Sequence, residues 1–312
     1  MTNKLSTAGL FGLLTAAMIP GRSEAQQLTS PPTPTVAQAV SADQRQGQYV
    51  DADGVHIFYQ VAGTGTPLLL IHGFPLSGQL FQGQLAGLSR QFRVITPDLR
   101  GFGKTATPDD RGSIQTYARD MLGLMNQLGV SKAIIGGHSM GGQITLQMYR
   151  QAPERFLGML LIDTNAMGAS VEEQAEWPGF GAQAEQQGVP SFVPTVTGQM
   201  LTGTGRLNDP PLAETMMDIL AEASVNGVKG GGQALATRPD FTGLLPKIAV
   251  PTLVIVGVDD PIYALEVSET MKVAIPGAAL AIVPQAEHAS IFEQPAYANA
   301  AITRWAAQHY LR

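Results

Sequence analysis

A serine with a glycine two residues before it and another two residues after it is the feature of this sequence best suited to chemistry. The segment Gly137-His138-Ser139-Met140-Gly141 follows a short apolar run at residues 133–135 and precedes a stretch at residues 143–149 that is compatible with a helix. A strand, a G-x-S-x-G turn and a helix together describe a nucleophile elbow. The strained turn leaves little room for neighbouring side chains, which is why glycines are needed there. The spacing therefore predicts Ser139 as a nucleophile.

An activated serine needs a base, and the base needs an acid that orients it. Of the five histidines, His288 lies in a loop directly after the last predicted strand, where a base can reach the hydroxyl. Asp259 and Asp260 follow the penultimate predicted strand, and either one gives the chain order serine, acid, histidine. Asp163, after the apolar run at residues 160–162, is a third candidate for the acid.

An acyl-transfer site also needs two backbone N–H groups that bind the oxyanion. Met140 is predicted to supply one, because it directly follows the nucleophile and begins a helix whose N-terminus carries partial positive charge. The second should come from the turn after an earlier strand, Ile71-His72-Gly73-Phe74-Pro75. Pro75 has no N–H to donate, so Phe74 is the predicted donor.

Short apolar runs alternate with helical patterns from residue 48 onward. A hairpin signal at Asp53-Gly54 opens the series. Six apolar runs are then predicted to be buried strands: residues 68–71, 92–95, 133–135, 159–162, 253–256 and 280–283. This order predicts an α/β fold, with a mostly parallel sheet of about eight strands, helices on both faces and an antiparallel hairpin at its start.

The alternation stops between about residues 165 and 240, where no β run occurs. One helix is indicated from Pro211 to Ala223, with Asp209 as its N-cap. We predict a helical lid inserted after the sixth strand, over the carboxyl ends of the strands, where open α/β sheets bind ligands. Its candidates for lining an apolar substrate pocket are Trp177, Phe180, Phe192, Met200, Met216 and Met217.

The composition favours a well-buried globular enzyme. Of the 312 residues 44% are apolar and 14% are charged, and the formal net charge is −6. With no Lys/Arg cluster, we expect no nucleic-acid partner and no binding to an anionic membrane. The absence of cysteine excludes disulfides, thiolate catalysis and cysteine-ligated metal. We predict no cofactor and no metal ion.

The N-terminus predicts export. Lys4 precedes an apolar run at residues 10–19, Pro20-Gly21 breaks the run, and Ser23 and Ala25 offer small residues for cleavage before residue 26. Residues 1–25 are therefore predicted to be a signal peptide, residues 26–47 a disordered Pro/Gln-rich linker and residues 48–312 the catalytic domain. The apolar run is too short for stable membrane insertion, so we expect a secreted or periplasmic protein.

Taken together, these motifs make the chain resemble the α/β-hydrolase superfamily. The matching segments are His72-Gly73-Phe74-Pro75, Asp98-Leu99-Arg100-Gly101-Phe102-Gly103, Gly137-His138-Ser139-Met140-Gly141-Gly142, Gly257-Val258-Asp259-Asp260 and His288. The resemblance implies the α/β-hydrolase fold and selects Asp260 over Asp259, because the family's acid typically lies three residues after the strand-end glycine. It also implies a structural role for the turn that holds Asp98 and Arg100. The chain is most similar to the esterase, lactonase and cofactor-free haloperoxidase branch.

The predicted function is that of a secreted serine hydrolase that cleaves carboxylic esters, with lactones as a candidate subset of its substrates, through an acyl-enzyme. Ser139, Asp260 and His288 form the predicted triad, and the Phe74 and Met140 amides form the oxyanion hole. The main alternative is a cofactor-free perhydrolase or haloperoxidase, in which hydrogen peroxide replaces water on the acyl-enzyme.

Three other classes are less well supported by the sequence. Epoxide hydrolases and dehalogenases resemble this chain at His-Gly-x-Pro but need an aspartate where it has Ser139, which excludes them. Carbon–carbon bond hydrolases fit the elbow, although their usual cytoplasmic aromatic substrates fit export poorly. A non-catalytic binding module would not be expected to keep every triad position. The predicted partner is a small-molecule ester or lactone, and no oligomeric state is predicted.

Overall fold

The computed structural model describes residues 47–203 and 209–310. The predicted signal peptide and, except for Gly47, the predicted linker lie outside these residues. Of the helices in the described part of the chain, none combines the length and the apolar character that crossing a bilayer requires.

Eight strands of the described chain form one sheet. They are β1 (Gln48–Ala52), β2 (Val55–Ala62), β3 (Thr66–Ile71), β4 (Phe92–Pro97), β5 (Ala133–His138), β6 (Phe156–Ile162), β7 (Thr252–Gly257) and β8 (Ala279–Val283). Their spatial order is β1-β2-β4-β3-β5-β6-β7-β8. The pairs β1–β2 and β2–β4 are antiparallel, and the remaining neighbouring pairs are parallel. The predicted mostly parallel sheet is confirmed.

The hairpin at the start of the sheet forms at the predicted turn. Asp53 and Gly54 join β1 to β2 with φ values of 51° and 85°. A tight turn with positive φ at both central residues matches the right-handed twist of the flanking strands. The turn signal therefore fixes the register in which Ala52 pairs with Val55.

The central strands are continuous apolar runs because helices cover the sheet on both faces. All six residues of β5 and all six of β7 are buried. In the parallel ladders Ile71 pairs with Gly137, His138 with Ile162, and Ile162 with Ile255. These pairs lie at the carboxyl ends of β3, β5, β6 and β7, so the loops that follow these strands meet at one edge of the sheet.

Ten α-helices have both ends within the described residues. They are α1 (Gln82–Leu88), α2 (Ile114–Gln127), α3 (Met140–Gln151), α4 (Val171–Gln187), α5 (Val193–Met200), α6 (Pro210–Ala221), α7 (Val225–Ala236), α8 (Leu265–Ala274), α9 (Ser290–Glu293) and α10 (Pro295–His309). Four of them, α4 to α7, lie between β6 and β7, and we call this group the helical insertion. The insertion occurs at the predicted place, after the sixth strand.

The predicted helix with the Asp209 N-cap is α6. It begins at Pro210, one residue before the predicted start, and ends at Ala221, two residues before the predicted end. The Asp209 carboxylate accepts a hydrogen bond from the Leu212 amide at 3.2 Å, which satisfies one of the free N–H groups of the first turn. Proline is tolerated in that turn because it has no N–H to leave unpaired.

The sequence analysis indicated neither α4 nor α7, because each helix contains residues that usually interrupt or weaken a helix. α4 begins with a capping box between Ser170 and Glu173 and continues through Pro178. α7 contains four glycines, and one of them, Gly231, is where the Phe74 ring packs against the helix: an added Cβ would lie 2.5 Å from that ring. Close packing therefore explains a glycine content that lowers helix propensity.

Candidate active site

Ser139 lies on the sharp turn between β5 and α3. Its φ of 52° and ψ of −119° place it in a strained region that a residue with a side chain seldom adopts. A Cβ on Gly137 would lie 2.0 Å from the Gly141 carbonyl oxygen, and one on Gly141 would lie 2.1 Å from the Ile71 carbonyl oxygen. Both glycines are thus required because backbone packs directly against backbone on either side of the serine.

The backbone of Ser139 is held by the end of the neighbouring strand. The Ser139 amide donates to the Ile162 carbonyl at 2.9 Å, and the Thr164 hydroxyl donates to the Ser139 carbonyl at 2.6 Å. The residue itself is only 8% exposed. Strained geometry persists only where surrounding contacts over-determine it, and these two bonds supply such contacts.

The structure brings His288 and Asp260 together. His288 Nδ1 lies 2.9 Å from Asp260 Oδ2, and Asp260 Oδ1 accepts hydrogen bonds from the Ile262 amide at 2.8 Å and the Tyr263 amide at 3.0 Å. Asp259 is exposed instead. An ionised carboxylate only accepts hydrogen bonds, so Nδ1 carries the proton of the neutral imidazole and Nε2 keeps its lone pair.

Burial and charge act in opposite directions on this pair. Burial alone lowers the pKa of His288. The charge and hydrogen bond of Asp260, together with a smaller effect of the Asp163 charge, outweigh burial and raise the pKa above its ordinary value. Burial raises the pKa of Asp260, and the adjacent imidazole outweighs that effect and lowers it. The pair therefore stabilises a protonated imidazole, the form that a general base reaches after it accepts a proton.

Phe74 and Met140 present free amides next to the serine. Neither N–H has a backbone or side-chain acceptor within the described ranges 47–203 and 209–310. Met140 is the first residue of α3, where such groups are left free by helix geometry. Gly73, just before Phe74, packs so closely on the elbow that an added Cβ would lie 2.8 Å from Ser139 Cβ. The turn after β3 is thus in direct contact with the elbow.

Two further histidines take part in the architecture, although the sequence analysis assigned them no role. His72 Nδ1 donates to the Gly73 carbonyl at 2.8 Å, and its Nε2 accepts from the Leu99 amide at 2.9 Å. His138 Nε2 lies 2.6 Å from the His288 carbonyl oxygen, to which it donates. The only sequence signal for these roles is their position inside the two catalytic motifs.

Both of these histidines are neutral. Burial lowers the pKa of His72 to about 4, against a smaller opposing effect of its bond to Gly73. Burial, followed by the charge of His288, lowers the pKa of His138 to about 3. Their imidazoles therefore act as fixed hydrogen-bonding groups that hold the turn after β3 and the loop of His288.

The helical insertion packs on the Phe74 side chain. The Phe74 ring centroid lies 6.1 Å from that of Phe102 and 5.9 Å from those of Trp177 and Phe180, all in edge-to-face contacts. Aromatic pairs at this separation and angle contribute stabilisation beyond their buried area. A residue with a free amide at the site is thus fixed by side chains of the insertion.

The other predicted lining residues belong mainly to the core of the insertion. Phe192, Met200 and Met216 are 2%, 3% and 0% exposed, and Met217 is partly buried against the core. Of the six candidates, Trp177 and Phe180 are the two that contact Phe74.

Asp98 and Arg100 have structural partners, in keeping with the role that the family resemblance implies. Asp98 accepts hydrogen bonds from the Gly78 and Lys104 amides at 2.7 Å each. Arg100 makes a bidentate pair with Asp120, with two N–O distances of 2.6 Å. These bonds brace the turn after β4.

The arrangement is suited to nucleophilic acyl transfer. It combines a serine on a strained turn, an imidazole oriented by a carboxylate and two free backbone amides. Among the described residues, no group of three or more His, Cys, Asp or Glu side chains is placed to hold a metal ion.

Comparisons with known proteins point the same way. Residues 66–295 match the family described as alpha/beta hydrolase fold. The chain is 28% identical to 3-oxoadipate enol-lactonase 2 of Acinetobacter baylyi, over 80% of this chain and 93% of the relative. It is 29% identical to a non-heme haloperoxidase of Rhodococcus erythropolis, over 76% and 90%. A solved esterase from Thermogutta terrifontis superimposes with a TM-score of 0.81 at 32% identity, covering 85% of this chain and 99% of that one.

Asp260→Asn should lower the pKa of His288. The substitution removes the largest effect that raises this pKa and leaves burial, which lowers it, opposed only by the charge of Asp163. NMR titration of the imidazole nitrogens in the folded protein measures the shift. Asp259→Asn is the matched control and should leave the His288 titration unchanged. An equal shift in both variants would contradict the assignment of Asp260 as the partner.

Proposed function

Because the chain belongs to the α/β-hydrolase family, we propose that it is a serine hydrolase that cleaves carboxylic esters through an acyl-enzyme. The observation that carries this proposal is the buried hydrogen bond of 2.9 Å between His288 and Asp260, on loops that meet the Ser139 elbow at one sheet edge. The similarity to an esterase and to an enol-lactonase supports an ester or lactone as the substrate.

Each residue has a defined task in this mechanism. Ser139 Oγ attacks the acyl carbon while His288 Nε2 takes its proton, and Asp260 holds the imidazolium that results. The Phe74 and Met140 amides bind the oxyanion of the tetrahedral intermediate. His288 then gives the proton to the leaving alcohol. In the second half-reaction water loses a proton to His288, attacks the acyl-enzyme and releases the acid, and the proton returns to Ser139.

Ser139→Ala should remove nearly all ester hydrolysis while the protein stays folded. Loss of the nucleophile in a serine triad lowers kcat on the order of 10⁶-fold. Hydrolysis of p-nitrophenyl esters measures the loss, and circular dichroism checks the fold. A fluorophosphonate should label Ser139 in the wild type. Labelling at another residue, or an active Ser139→Ala enzyme, would disprove this mechanism.

A second candidate reaction is perhydrolysis, in which hydrogen peroxide takes the place of water. Its support is the similarity to a haloperoxidase together with Pro75, directly after Phe74. Proline fixes its own φ and restricts the backbone of the residue before it, which limits the orientations open to the Phe74 carbonyl. A carbonyl turned toward the attacking molecule accepts a hydrogen bond from peroxide. Peroxide then forms a peracid with the acyl group and Ser139 regains its proton.

Pro75→Leu tests this second reaction. If Pro75 orients a peroxide acceptor, the ratio of peracid formation to ester hydrolysis should be lower in the variant than in the wild type. Both rates are measured on the same ester with and without hydrogen peroxide. An unchanged ratio would remove the peroxide role and leave a plain esterase, with Pro75 only stiffening the turn.

We also propose that the protein is exported, on the basis of residues 1–25. Export predicts a mature N-terminus at or near Gln26, since Ser23 and Ala25 offer the small residues that a signal peptidase needs. Mass spectrometry of the protein isolated from its native host identifies that terminus. Full-length protein retained in the cytoplasm would contradict the proposal.

A further inference from the structure

Asp163 is a buried carboxyl group to which the proposed mechanism gives no task. It follows β6 directly, is 0% exposed, and has a φ of 44°, in the left-handed region that residues other than glycine seldom adopt. Its amide donates to the Ile255 carbonyl at 2.9 Å, so the backbone still joins the sheet. A buried carboxyl group in a strained conformation is costly and needs specific partners.

The partners of the Asp163 carboxyl lie on two different loops. Oδ1 accepts from the Gly257 amide at 2.8 Å, and Gly257 lies three residues before Asp260. Oδ2 accepts from the Ser290 hydroxyl at 2.6 Å and the Ser290 amide at 3.2 Å, and Ser290 lies two residues after His288. One side chain thus ties the segment that carries the acid to the segment that carries the base.

The neighbours of Asp163 hold the third loop. Ile162 accepts the Ser139 amide and Thr164 donates to the Ser139 carbonyl, at 2.9 and 2.6 Å. Three consecutive residues at the end of β6 therefore touch the segments of the nucleophile, the acid and the base. We call residues 162–164 the strand-end hub.

The contacts of Asp163 differ from those of a triad acid. The imidazole nitrogen paired with it is His138 Nε2, at 3.9 Å, beyond hydrogen-bonding distance. His288 Nδ1 is bonded to Asp260 instead. Of the candidates for the triad acid, Asp260 and not Asp163 therefore contacts His288. The Asp163 carboxyl group instead accepts hydrogen bonds from backbone amides and a hydroxyl group.

We propose that Asp163 is a positioning residue, which sets the spacing of the Asp260 and His288 segments relative to Ser139 from the strand-end hub. The inference rests on the proposed ester hydrolysis and adds to it a residue outside the triad and the oxyanion hole that sets the spacing of the triad. Small displacements of catalytic groups are costly because the reacting atoms must meet within a narrow range of distances.

The role of Asp163 does not require a fixed charge. Burial, followed by the charge of Asp260, raises the pKa of Asp163 to about 8, while His288 and the bonds from Ser290 and Gly257 oppose this rise. Protonated Oδ2 can donate to the Ser290 hydroxyl, and each oxygen still accepts its amide. Both protonation states can therefore hold the two segments.

Two substitutions separate the contacts. Asp163→Asn replaces one oxygen with an NH₂ group, so either the Ser290 or the Gly257 amide faces a donor and loses its acceptor. Ser290→Ala removes only the hydroxyl contact. Asp120→Asn is the matched control. The Asp120 carboxylate is also buried, at 2% exposure, but its partner Arg100 lies outside the proposed catalytic group.

The expected result is a loss of kcat that exceeds any loss of substrate binding. Asp163→Asn should lower kcat roughly 100-fold, the cost of misplacing a catalytic group by about 1 Å. Ser290→Ala should lower it about tenfold, the equivalent of one hydrogen bond. KM should change less than about twofold in both variants, since neither substitution removes a contact with the bound substrate. Asp120→Asn should lower the melting temperature and leave kcat unchanged.

A second readout does not depend on the substrate. The His288 Nδ1–H proton, held against Asp260, should give a low-field NMR resonance. Because the charge of Asp163 itself acts on His288, Ser290→Ala, which keeps that carboxyl group, is the deciding variant. The resonance should shift or broaden in Ser290→Ala and in Asp163→Asn but not in Asp120→Asn. A lower melting temperature with wild-type kcat and an unchanged resonance would reduce Asp163 to a merely structural residue and overturn the proposal. If Asp163→Asn does not fold, the same two measurements on Ser290→Ala decide between the outcomes.

Failure of the proposed function is distinguishable from failure of this inference. If the wild type hydrolyses no ester and no fluorophosphonate labels Ser139, the proposed function fails. The NMR comparison still tests whether Asp163 holds His288 against Asp260. If the wild type is active and labelled but neither variant differs from it in kcat or resonance, only the positioning role is wrong.

Discussion

The whole site depends on one steric condition, that backbone packs against backbone where β5 turns into α3. Side chains at positions 137 and 141 would overlap carbonyl oxygens, and Ser139 between them is held at a φ of 52°. Such a turn is stable only when its surroundings over-determine it. The closely packed ends of β3 and β6 do this, and they thereby bring the free amides of Phe74 and Met140 and the strand-end hub close to the serine.

Three buried imidazoles at this sheet edge show how the environment gives residues of one type different pKa values. Burial lowers the pKa of His72 and His138, and neither imidazole has a carboxylate within hydrogen-bonding distance. His288 is equally buried, but Asp260 reverses the direction of its shift. Desolvation disfavours the charged form unless an opposite charge compensates for it. Only His288 is therefore prepared to accept a proton, while the other two remain neutral supports.

The sequence predicts those parts of the fold that depend on local pattern. Buried parallel strands are short apolar runs, and the elbow has a fixed spacing, so the sheet and the position of Ser139 could be read directly. Residue chemistry alone could not decide whether Asp259 or Asp260 is the acid that orients His288, since that choice depends on how the turn after β7 directs each side chain. The sequence did not indicate α4 and α7, because Pro178 and the glycines of α7 have low helix propensity. Tertiary packing overrides that propensity in the folded protein. The partners of Asp163 lie about a hundred residues away in sequence, and no local pattern indicates such contacts.

The aromatic contacts of Phe74 link the packing of the helical insertion to the position of a backbone amide at the candidate site. The ring is packed by Trp177 and Phe180 of the insertion, whereas its own amide belongs to the candidate oxyanion hole. Because interiors are close-packed and transmit strain, a change of ring size at position 177 or 180 displaces Phe74 as well. Evolution of the insertion at these two positions is therefore coupled, through one shared aromatic ring, to the backbone of the turn after β3.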